Sequence, residues 1–396
     1  MKHKQIYYAC LLLLSNCFWC CTGNSGCTRT KNKSESIELQ TPVNSPISVS
    51  IYVENSGSMA GYCNLSDQSA IETLIRDYYD RLNSCSDIDQ ISLNFINATI
   101  ENSKSDINNF TKSIKSKCTA KYTKLDEMLE MMMDSINNNR INLLISDYVF
   151  SSNNGNLAIA SSAIASQFSQ QLKDKDIAVA IFKYMVNFKG KYYPGGIMCN
   201  KPLPLYIWVF GNKENVRKIT KLPFNSENCG TYFMQKASDV RFELMAKSKR
   251  MIKGGKIHVS EWKKDRHKDF YEFSFTTKLN DVLLPENDIL ETSKYIVQSS
   301  NSTTYNIAKI EKDKYEEDKY KYTIRTNGSK PAPGELTISY PIITPEWVNA
   351  SNFEGNGIPN DSTTYGVSYL INGVSKAFED NSKKNNNYFT ININFE

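Results

Sequence analysis

Hydroxyl and carboxyl side chains follow one short apolar run near residue 50. The β-branched and aromatic residues 51–53 predict a strand that ends at Glu54. Ser56 and Ser58 follow on either side of Gly57, so their two hydroxyl groups are expected to face one point. Carboxylate and hydroxyl oxygens are ligands that a hard divalent cation accepts. This stretch therefore predicts a cup for a cation at the end of the first strand.

Two further oxygen-bearing side chains stand at the ends of later predicted elements. Thr123 lies in the loop immediately before a predicted helix at 125–136, and Asp147 follows the apolar run 141–145. The loops at the carboxyl ends of parallel strands gather at one edge of a sheet, so these segments are expected to converge. The candidate metal site consists of Glu54, Ser56, Ser58, Thr123 and Asp147.

The motif Glu54-x-Ser56-x-Ser58 resembles the Asp-x-Ser-x-Ser motif of the von Willebrand factor type A family. Thr123 and Asp147 match, in order and placement, the other segments of that family's metal-ion-dependent adhesion site (MIDAS). The resemblance covers residues 47–222 and implies an α/β fold, a doubly wound, mostly parallel, Rossmann-like sheet. This sequence departs from the family in having Glu54 instead of aspartate, and in lacking glycines around Thr123.

The family resemblance also implies a mode of action, which is recognition through a shared metal without turnover. Oxygen ligands in a compact cup favour Mg²⁺, with Ca²⁺ or Mn²⁺ as alternatives. Three neutral hydroxyls would leave the cation under-neutralised, so it would favour a carboxylate offered by a protein or glycan partner. A degenerate domain that keeps the fold but binds no metal is the alternative.

Hydrophobic periodicity predicts alternating strands and helices followed by a β-rich region. In the first part, strands are predicted at 48–53, 91–96, 141–145, 177–184 and 205–210, and helices at 69–82, 105–114, 125–136, 156–172 and 214–222. This alternation predicts a parallel sheet covered on both faces. Short alternating runs at 231–345 predict a β-sandwich-like domain, while 346–396 holds one helix and one strand of uncertain domain membership.

The N-terminus has the pattern of an exported lipoprotein. A basic start and a short apolar core predict a signal peptide over 1–21, too short for a membrane span. The run 14–17 looks like a lipobox and makes Cys17 the expected lipidated residue, with Cys20 and Cys21 as alternatives. The polar segment 22–46 is expected to be a flexible tether. The protein would then be anchored to a membrane and face the periplasm or the cell surface, although a plain cleaved signal is an open alternative.

Composition and cysteine content limit the class of protein and the compartment that the sequence allows. The 396 residues are 40% apolar and 22% charged, as in ordinary globular proteins, and a net charge of +5 is too small to indicate nucleic-acid binding. In an oxidising compartment, Cys199 and Cys229 are a possible disulfide because they flank the predicted strand 205–210. Cys85 and Cys118 are a less certain pair, since free buried thiols are equally compatible with the pattern.

Two other classes of function compete with metal-dependent recognition. A hydrolase would use Ser56 or Ser58 as the nucleophile, but His258 and His267 lie far along the chain, so the base would have to be a residue such as Lys124. A passive structural lipoprotein of an envelope assembly would use the fold only for docking. Metal-dependent partner binding separates recognition from passive docking, and turnover of a substrate separates the hydrolase from both.

Overall fold

The computed structural model describes residues 46–64, 70–150, 156–193, 195–245, 251–262, 264, 269–355, 357–382 and 386–396. The predicted signal peptide (1–21), the lipidation candidates Cys17, Cys20 and Cys21, and the predicted tether as far as residue 45 lie outside these residues. His267 is outside them as well. All of the described residues belong to one compact unit, Asn44–Glu396.

The largest sheet in the described part of the chain has seven strands. They are β1 (Ile47–Glu54), β2 (Ile88–Ile96), β3 (Ile100–Ser103), β4 (Arg140–Ser146), β5 (Ile177–Tyr192), β6 (Ile197–Asn212) and β7 (Gly230–Gln235), in the spatial order β3-β2-β1-β4-β6-β5-β7. β1 pairs in parallel with β2 and β4, whereas the other neighbours are antiparallel. The sheet is therefore mixed, with its parallel strands beside the candidate site.

The strands β5 and β6 differ from the prediction. Their apolar halves, 177–184 and 205–210, are predicted as strands of a parallel sheet, but β5 and β6 pair antiparallel over their full lengths. A hairpin turn with Gly195 and Gly196 at positive φ joins them, so no crossover helix separates them. β7 accompanies β5 only as far as Lys183, and β4 accompanies β6 only as far as Tyr206. The distal half of the hairpin thus extends past the neighbouring strands.

Helices pack beside this sheet through apolar stripes. They are α1 (Ala70–Asn83), α2 (Ile107–Lys117), α3 (Leu125–Asp134), α4 (Leu157–Asp174) and α5 (Lys213–Thr220), close to the predicted ranges. The stripe of α1 illustrates the pattern, since Ile71, Ile75 and Tyr78 recur at helical spacing and are buried. Asp106 and Asn156 accept backbone N–H groups at the starts of α2 and α4, which fixes where these helices begin. None of the described helices combines the length and hydrophobicity that crossing a bilayer requires.

The β-rich part of the described chain contains two facing sheets. Its elements are β8 (Phe242–Met245), β9 (Ile252–Lys253), β10 (Lys256–Ile257), β11 (Glu272–Lys278), α6 (Glu286–Leu290), β12 (Ile296–Ser299), β13 (Tyr305–Lys312), β14 (Lys319–Thr326) and β15 (Gly334–Pro341). One sheet has the order β13-β14-β11-β8, and the other contains β12, β15, β10 and β9 together with the last strand of the chain. The ring of Phe395 lies 5.8 Å from that of Phe273 and 5.4 Å from that of Tyr305, so the core between the sheets is aromatic.

The C-terminal segment contributes to both parts of the fold. It contains α7 (Glu346–Ala350), the paired short strands β16 (Asn352–Phe353) and β17 (Thr364–Tyr365), α8 (Val367–Asn381) and β18 (Asn387–Phe395). α8 packs against α4, where the Ser161 hydroxyl donates to the Tyr369 carbonyl at 2.6 Å. β18 lies between β15 and β10 in the five-stranded sheet. The last helix therefore supports the seven-stranded part of the fold, and the last strand completes the five-stranded sheet.

Candidate metal site at the ends of β1 and β4

The loop after β1 is held in place by the segment that follows α2. Gly57 donates its backbone N–H to the Ala120 carbonyl at 2.9 Å, and Ala120 donates to the Asn55 carbonyl at 3.1 Å. These two bonds draw the segment leading to Thr123 against the serine loop. Two stretches that are distant in sequence thus form one wall of the site.

The Glu54 carboxyl group lies at the centre of this arrangement and is 0% exposed. The Thr123 hydroxyl donates to its Oε1 at 2.7 Å, and the Ser146 hydroxyl donates to its Oε2. The Ser56 hydroxyl also hydrogen-bonds to this carboxyl group. Three hydroxyl groups from three separate segments therefore surround one buried carboxylate.

Asp147 supplies a second carboxyl group and is 2% exposed. It accepts the Val149 backbone N–H at 3.2 Å and a hydrogen bond from the Ser58 hydroxyl. The Ser56 and Ser58 hydroxyl oxygens are 2.9 Å apart, which connects the surroundings of the two acids. The structure thus brings together all five residues of the predicted set: Glu54, Ser56, Ser58, Thr123 and Asp147.

The two carboxyl groups carry an electrostatic penalty. Burial, together with the nearby Glu54 carboxylate, raises the pKa of Asp147 to about 7, against hydrogen bonds from Ser58 and Val149 that act in the opposite direction. Burial also raises the pKa of Glu54, despite its three hydroxyl donors. Among the described residues, no Lys, Arg or His forms a salt bridge with either acid. A bound cation would relieve this repulsion.

The donor set fits a small, hard cation. In the described chain, no group of three or more His, Cys, Asp or Glu side chains is arranged to hold a metal, so a site built mainly from such ligands is not found there. The site at β1 and β4 instead combines two carboxylates with neutral hydroxyl oxygens, and oxygen-only sets of this kind suit Mg²⁺, Ca²⁺ or Mn²⁺. The residues present therefore fit the metal that the family resemblance implies, while metal binding itself stays a prediction.

Ser146 and Tyr148 belong to the site but are not predicted from the sequence. Tyr148 has φ of 51°, a left-handed conformation that is rare for a bulky residue and costs about 1–3 kcal/mol. Its ring stacks on Trp208 at 4.8 Å, and its backbone N–H donates to the Ser146 hydroxyl at 2.8 Å. These contacts hold the strained turn that aims Asp147 at the serine loop. Ser146 could have been included in the predicted site, because a serine at the end of an otherwise apolar, buried strand is unusual.

The β5–β6 hairpin supports the serine loop from the other side. A short 3-10 helix, Met59–Cys63, follows Ser58 and packs under the hairpin. The Tyr62 hydroxyl donates to the Pro204 carbonyl at 2.6 Å, and its ring meets that of Phe188 edge to face at 5.0 Å. A Cβ on Gly61 would lie only 2.2 Å from the Phe188 ring, so glycine is needed for this approach. The position of Ser58 thus depends on the hairpin.

The C-terminal segment supports the Asp147 loop. Phe150 donates its backbone N–H to the Tyr365 carbonyl at 2.9 Å. Tyr365 in turn donates its own N–H to the Tyr192 hydroxyl at the far end of β5, also at 2.9 Å. One short strand, β17, therefore connects the loop that carries Asp147 with the hairpin that covers the serine loop.

A pocket of about 630 Å³ opens above the hydroxyl groups. Ser56, Ser58 and Thr123 line it, together with Tyr122 and Tyr193, whose side chains are 66% and 44% exposed. The opening gives a ligand access to the hydroxyl side of the site, while both carboxyl groups remain buried behind it. The arrangement suits binding at one open coordination position.

Cys199 and Cys229 do not form the predicted disulfide. Both thiols are free, as are those of Cys85 and Cys118. Cys199 stands opposite Gly190 on β5, whereas Cys229 donates its backbone N–H to the Lys183 carbonyl. These two positions on β5 are roughly 20 Å apart at about 3.3 Å per residue, far beyond the reach of a disulfide. The prediction, which brought the two cysteines together near one end of the first domain, was wrong because β6 begins at Ile197, well before its apolar half, and carries Cys199 along the distal part of the hairpin.

Comparisons of the chain with family models, with curated proteins and with solved structures found no match. The resemblance to the type A family therefore rests on the motif around Glu54 and on the positions of Thr123 and Asp147. The mixed α/β class and the convergence of these side chains are properties of the structure. Membership of the family stays a prediction.

Proposed function

We propose that this protein is an exported, membrane-anchored lipoprotein that binds a protein or glycan ligand through a divalent cation, without catalysis. The observation that carries the proposal is the pair of buried carboxyl groups, Glu54 and Asp147. They meet beside three hydroxyl groups, and no cationic side chain of the described chain pairs with them. Leaving two buried acids uncompensated is costly unless a cation joins them.

The neutral and acidic residues would have different roles. Ser56, Ser58 and Thr123 line the open pocket and would offer hydroxyl oxygens to Mg²⁺, or alternatively to Ca²⁺ or Mn²⁺. Glu54 and Asp147 lie behind them and would orient those hydroxyls, or ligand waters, while offsetting the charge of the cation. A carboxylate of the ligand would enter from the pocket and complete the coordination.

The geometry favours recognition over a serine hydrolase. Lys124, the base considered for such an enzyme, pairs with Glu127 at 2.7 Å. Ser56 and Ser58 lie 2.9 Å apart through their hydroxyl oxygens, and they hydrogen-bond to Glu54 and Asp147 respectively. His258 follows β10 in the other part of the fold and does not contribute to this site. Of the described residues considered as a base for either serine, neither Lys124 nor His258 is therefore placed to act.

Calorimetry of the purified full-length protein in detergent tests the proposal. We expect Mg²⁺ or Mn²⁺ to bind at millimolar or lower concentration, and Ser58→Ala to weaken binding about 10- to 100-fold through loss of an oxygen next to the metal. Ser162→Ala, on the exposed face of α4, is the matched control and should bind like the wild type. Wild-type protein that unfolds cooperatively but binds neither ion would refute metal-dependent recognition and leave passive docking as the better explanation.

A further inference from the structure

The rim of the pocket is aromatic and basic. Tyr122 and Tyr193 line the opening and are both substantially exposed. Lys121 lies beside them, with its ammonium group 5.2 Å from the centre of the Tyr122 ring. The Tyr122 carbonyl accepts the Asn97 side-chain amide at 3.0 Å, so the backbone of this part of the rim is fixed. A ligand entering the pocket therefore meets aromatic side chains and positive charge at its rim.

One face of the β5–β6 hairpin continues this rim away from the pocket. Lys189, Lys191 and Tyr193 alternate along the chain and are exposed, whereas Phe188, which precedes them, and Tyr192, which lies between the last two, are buried. The exposed three therefore share one face, because successive side chains of a strand point to opposite sides. Met198, 64% exposed, stands opposite Lys191 on β6 and adds apolar area to the same face.

No described carboxylate forms a salt bridge with the lysines of the hairpin face or of the pocket rim. Within the described residues, Lys121, Lys189 and Lys191 form no salt bridge, whereas Lys201 on the opposite face of the hairpin pairs with Asp361 at 2.8 Å. The hairpin face and the pocket rim together thus present uncompensated positive charge next to exposed apolar side chains. Charge of this kind attracts an acidic partner and increases its rate of encounter.

We infer that the ligand is an acidic, extended polypeptide segment of a partner protein, and that the exposed face of the β5–β6 hairpin is its second contact surface. This inference rests on the proposed function, because one carboxylate of the segment would enter the metal pocket past Tyr193. Further acidic side chains would then lie along Lys191 and Lys189, with apolar contacts to Met198. The hairpin face would determine which acidic segment is bound.

The spacing of the hairpin side chains favours a polypeptide over other anions. Residues on one face of a strand recur about every 6.6–7 Å, and an extended peptide repeats its own side chains at the same distance. Acidic residues at alternate positions of the ligand would therefore match Tyr193, Lys191 and Lys189 in register. Neither an anionic lipid surface nor an acidic glycan imposes this repeat.

Binding of a short synthetic peptide that alternates aspartate with valine tests the inference. The full-length protein in detergent would be titrated, in Mg²⁺, with this peptide, with a scrambled version whose aspartates are contiguous, with a polyuronate oligosaccharide and with anionic phospholipid vesicles. We expect preferential binding of the alternating peptide. Lys189→Gln/Lys191→Gln should weaken it roughly three- to tenfold, as expected for two exposed ion pairs, and Tyr193→Ala about tenfold.

The control variant is Lys314→Gln/Lys330→Gln, which removes two exposed lysines from the β-rich part and should leave peptide binding unchanged. Equal binding of the scrambled peptide, preference for polyuronate or vesicles, or unchanged binding by the hairpin variants would overturn the inference. Mg²⁺ affinity measured on the same preparations separates it from the metal proposal. Protein that binds Mg²⁺ but no peptide refutes only the hairpin surface, whereas hairpin-dependent peptide binding without Mg²⁺ binding refutes only the metal site.

Discussion

Replacing Asp147 by asparagine should stabilise the metal-free protein against unfolding at pH 8. Asp147 is buried beside Glu54, and both burial and that neighbouring carboxylate oppose its ionisation. Asparagine has nearly the same shape and can still accept the Val149 backbone N–H, but it carries no charge. The variant therefore removes the electrostatic repulsion between Asp147 and Glu54 and keeps the shape of the side chain.

The pKa of Asp147 gives the size and the pH window of this effect. It rises from 3.8 to about 7 in the folded protein, and one unit corresponds to about 1.4 kcal/mol, so the penalty reaches about 4 kcal/mol. The raised pKa makes the folded state bind the proton more tightly than the unfolded chain does, so protonated Asp147 causes no penalty below pH 4. The stability that proton binding contributes is lost as the pH rises through the folded-state pKa of about 7, and the penalty then reaches its full size. Wild type and variant should be similar near pH 4 and differ most at pH 8.

Urea unfolding in a chelator, followed by circular dichroism at pH 4, 6 and 8, measures this difference. Asp89→Asn, at an exposed position of β2, is the matched control and should change stability by no more than about 0.5 kcal/mol. Saturating Mg²⁺ at pH 8 should stabilise the wild type and have little effect on Asp147→Asn. If the asparagine variant is instead less stable than the wild type in chelator at pH 8, Asp147 is ionised and satisfied without metal, and the electrostatic reasoning is wrong.

Two further predictions concern the support of the site and the anchoring of the chain. Gly61→Ala should force the Met59–Cys63 helix away from Phe188, at a cost of about 1–3 kcal/mol, and should weaken Mg²⁺ binding by displacing Ser58. Urea unfolding measures the loss of stability, and calorimetry measures the loss of Mg²⁺ affinity. Failure of Phe188→Leu to rescue the variant would contradict the steric explanation. Cys17→Ser should abolish metabolic labelling by a palmitate analogue. Label that persists in Cys17→Ser but disappears in Cys20→Ser or Cys21→Ser would assign the lipid to one of those cysteines instead. An unlabelled wild type would refute lipidation.

Local periodicity was sufficient to predict most elements and the meeting point of the site. β1 and β4 contain mainly apolar runs that are followed by oxygen-bearing side chains, so the sequence is sufficient to place Glu54 and Asp147 at one sheet edge. Thr123 could be placed beside them because a helix begins at Leu125. Each of these inferences depends only on where a strand ends or a helix begins. Hydrophobic periodicity and turn-forming residues are sufficient to predict those positions.

The hairpin and the strained turn depend on contacts that periodicity does not encode. The distal part of β5 carries lysines and a glycine, so its outer half has the composition of a loop, and nothing local specifies that β6 returns antiparallel beside it. The left-handed conformation of Tyr148 is held by the stacking of its ring on Trp208 and by its hydrogen bond to Ser146. Long-range pairing and ring stacking, rather than propensity, determine these features.

The hydrogen bond from Tyr365 to Tyr192 has a consequence for the order in which the protein is made. The two residues are 173 positions apart in the chain, and ribosomes add residues from the N-terminus. The serine motif that follows Glu54 is therefore synthesised long before the strand that braces its surroundings. Contacts of such large sequence separation also form slowly. The brace that joins Phe150 and Tyr192 through Tyr365 can therefore form only after Tyr365 has emerged.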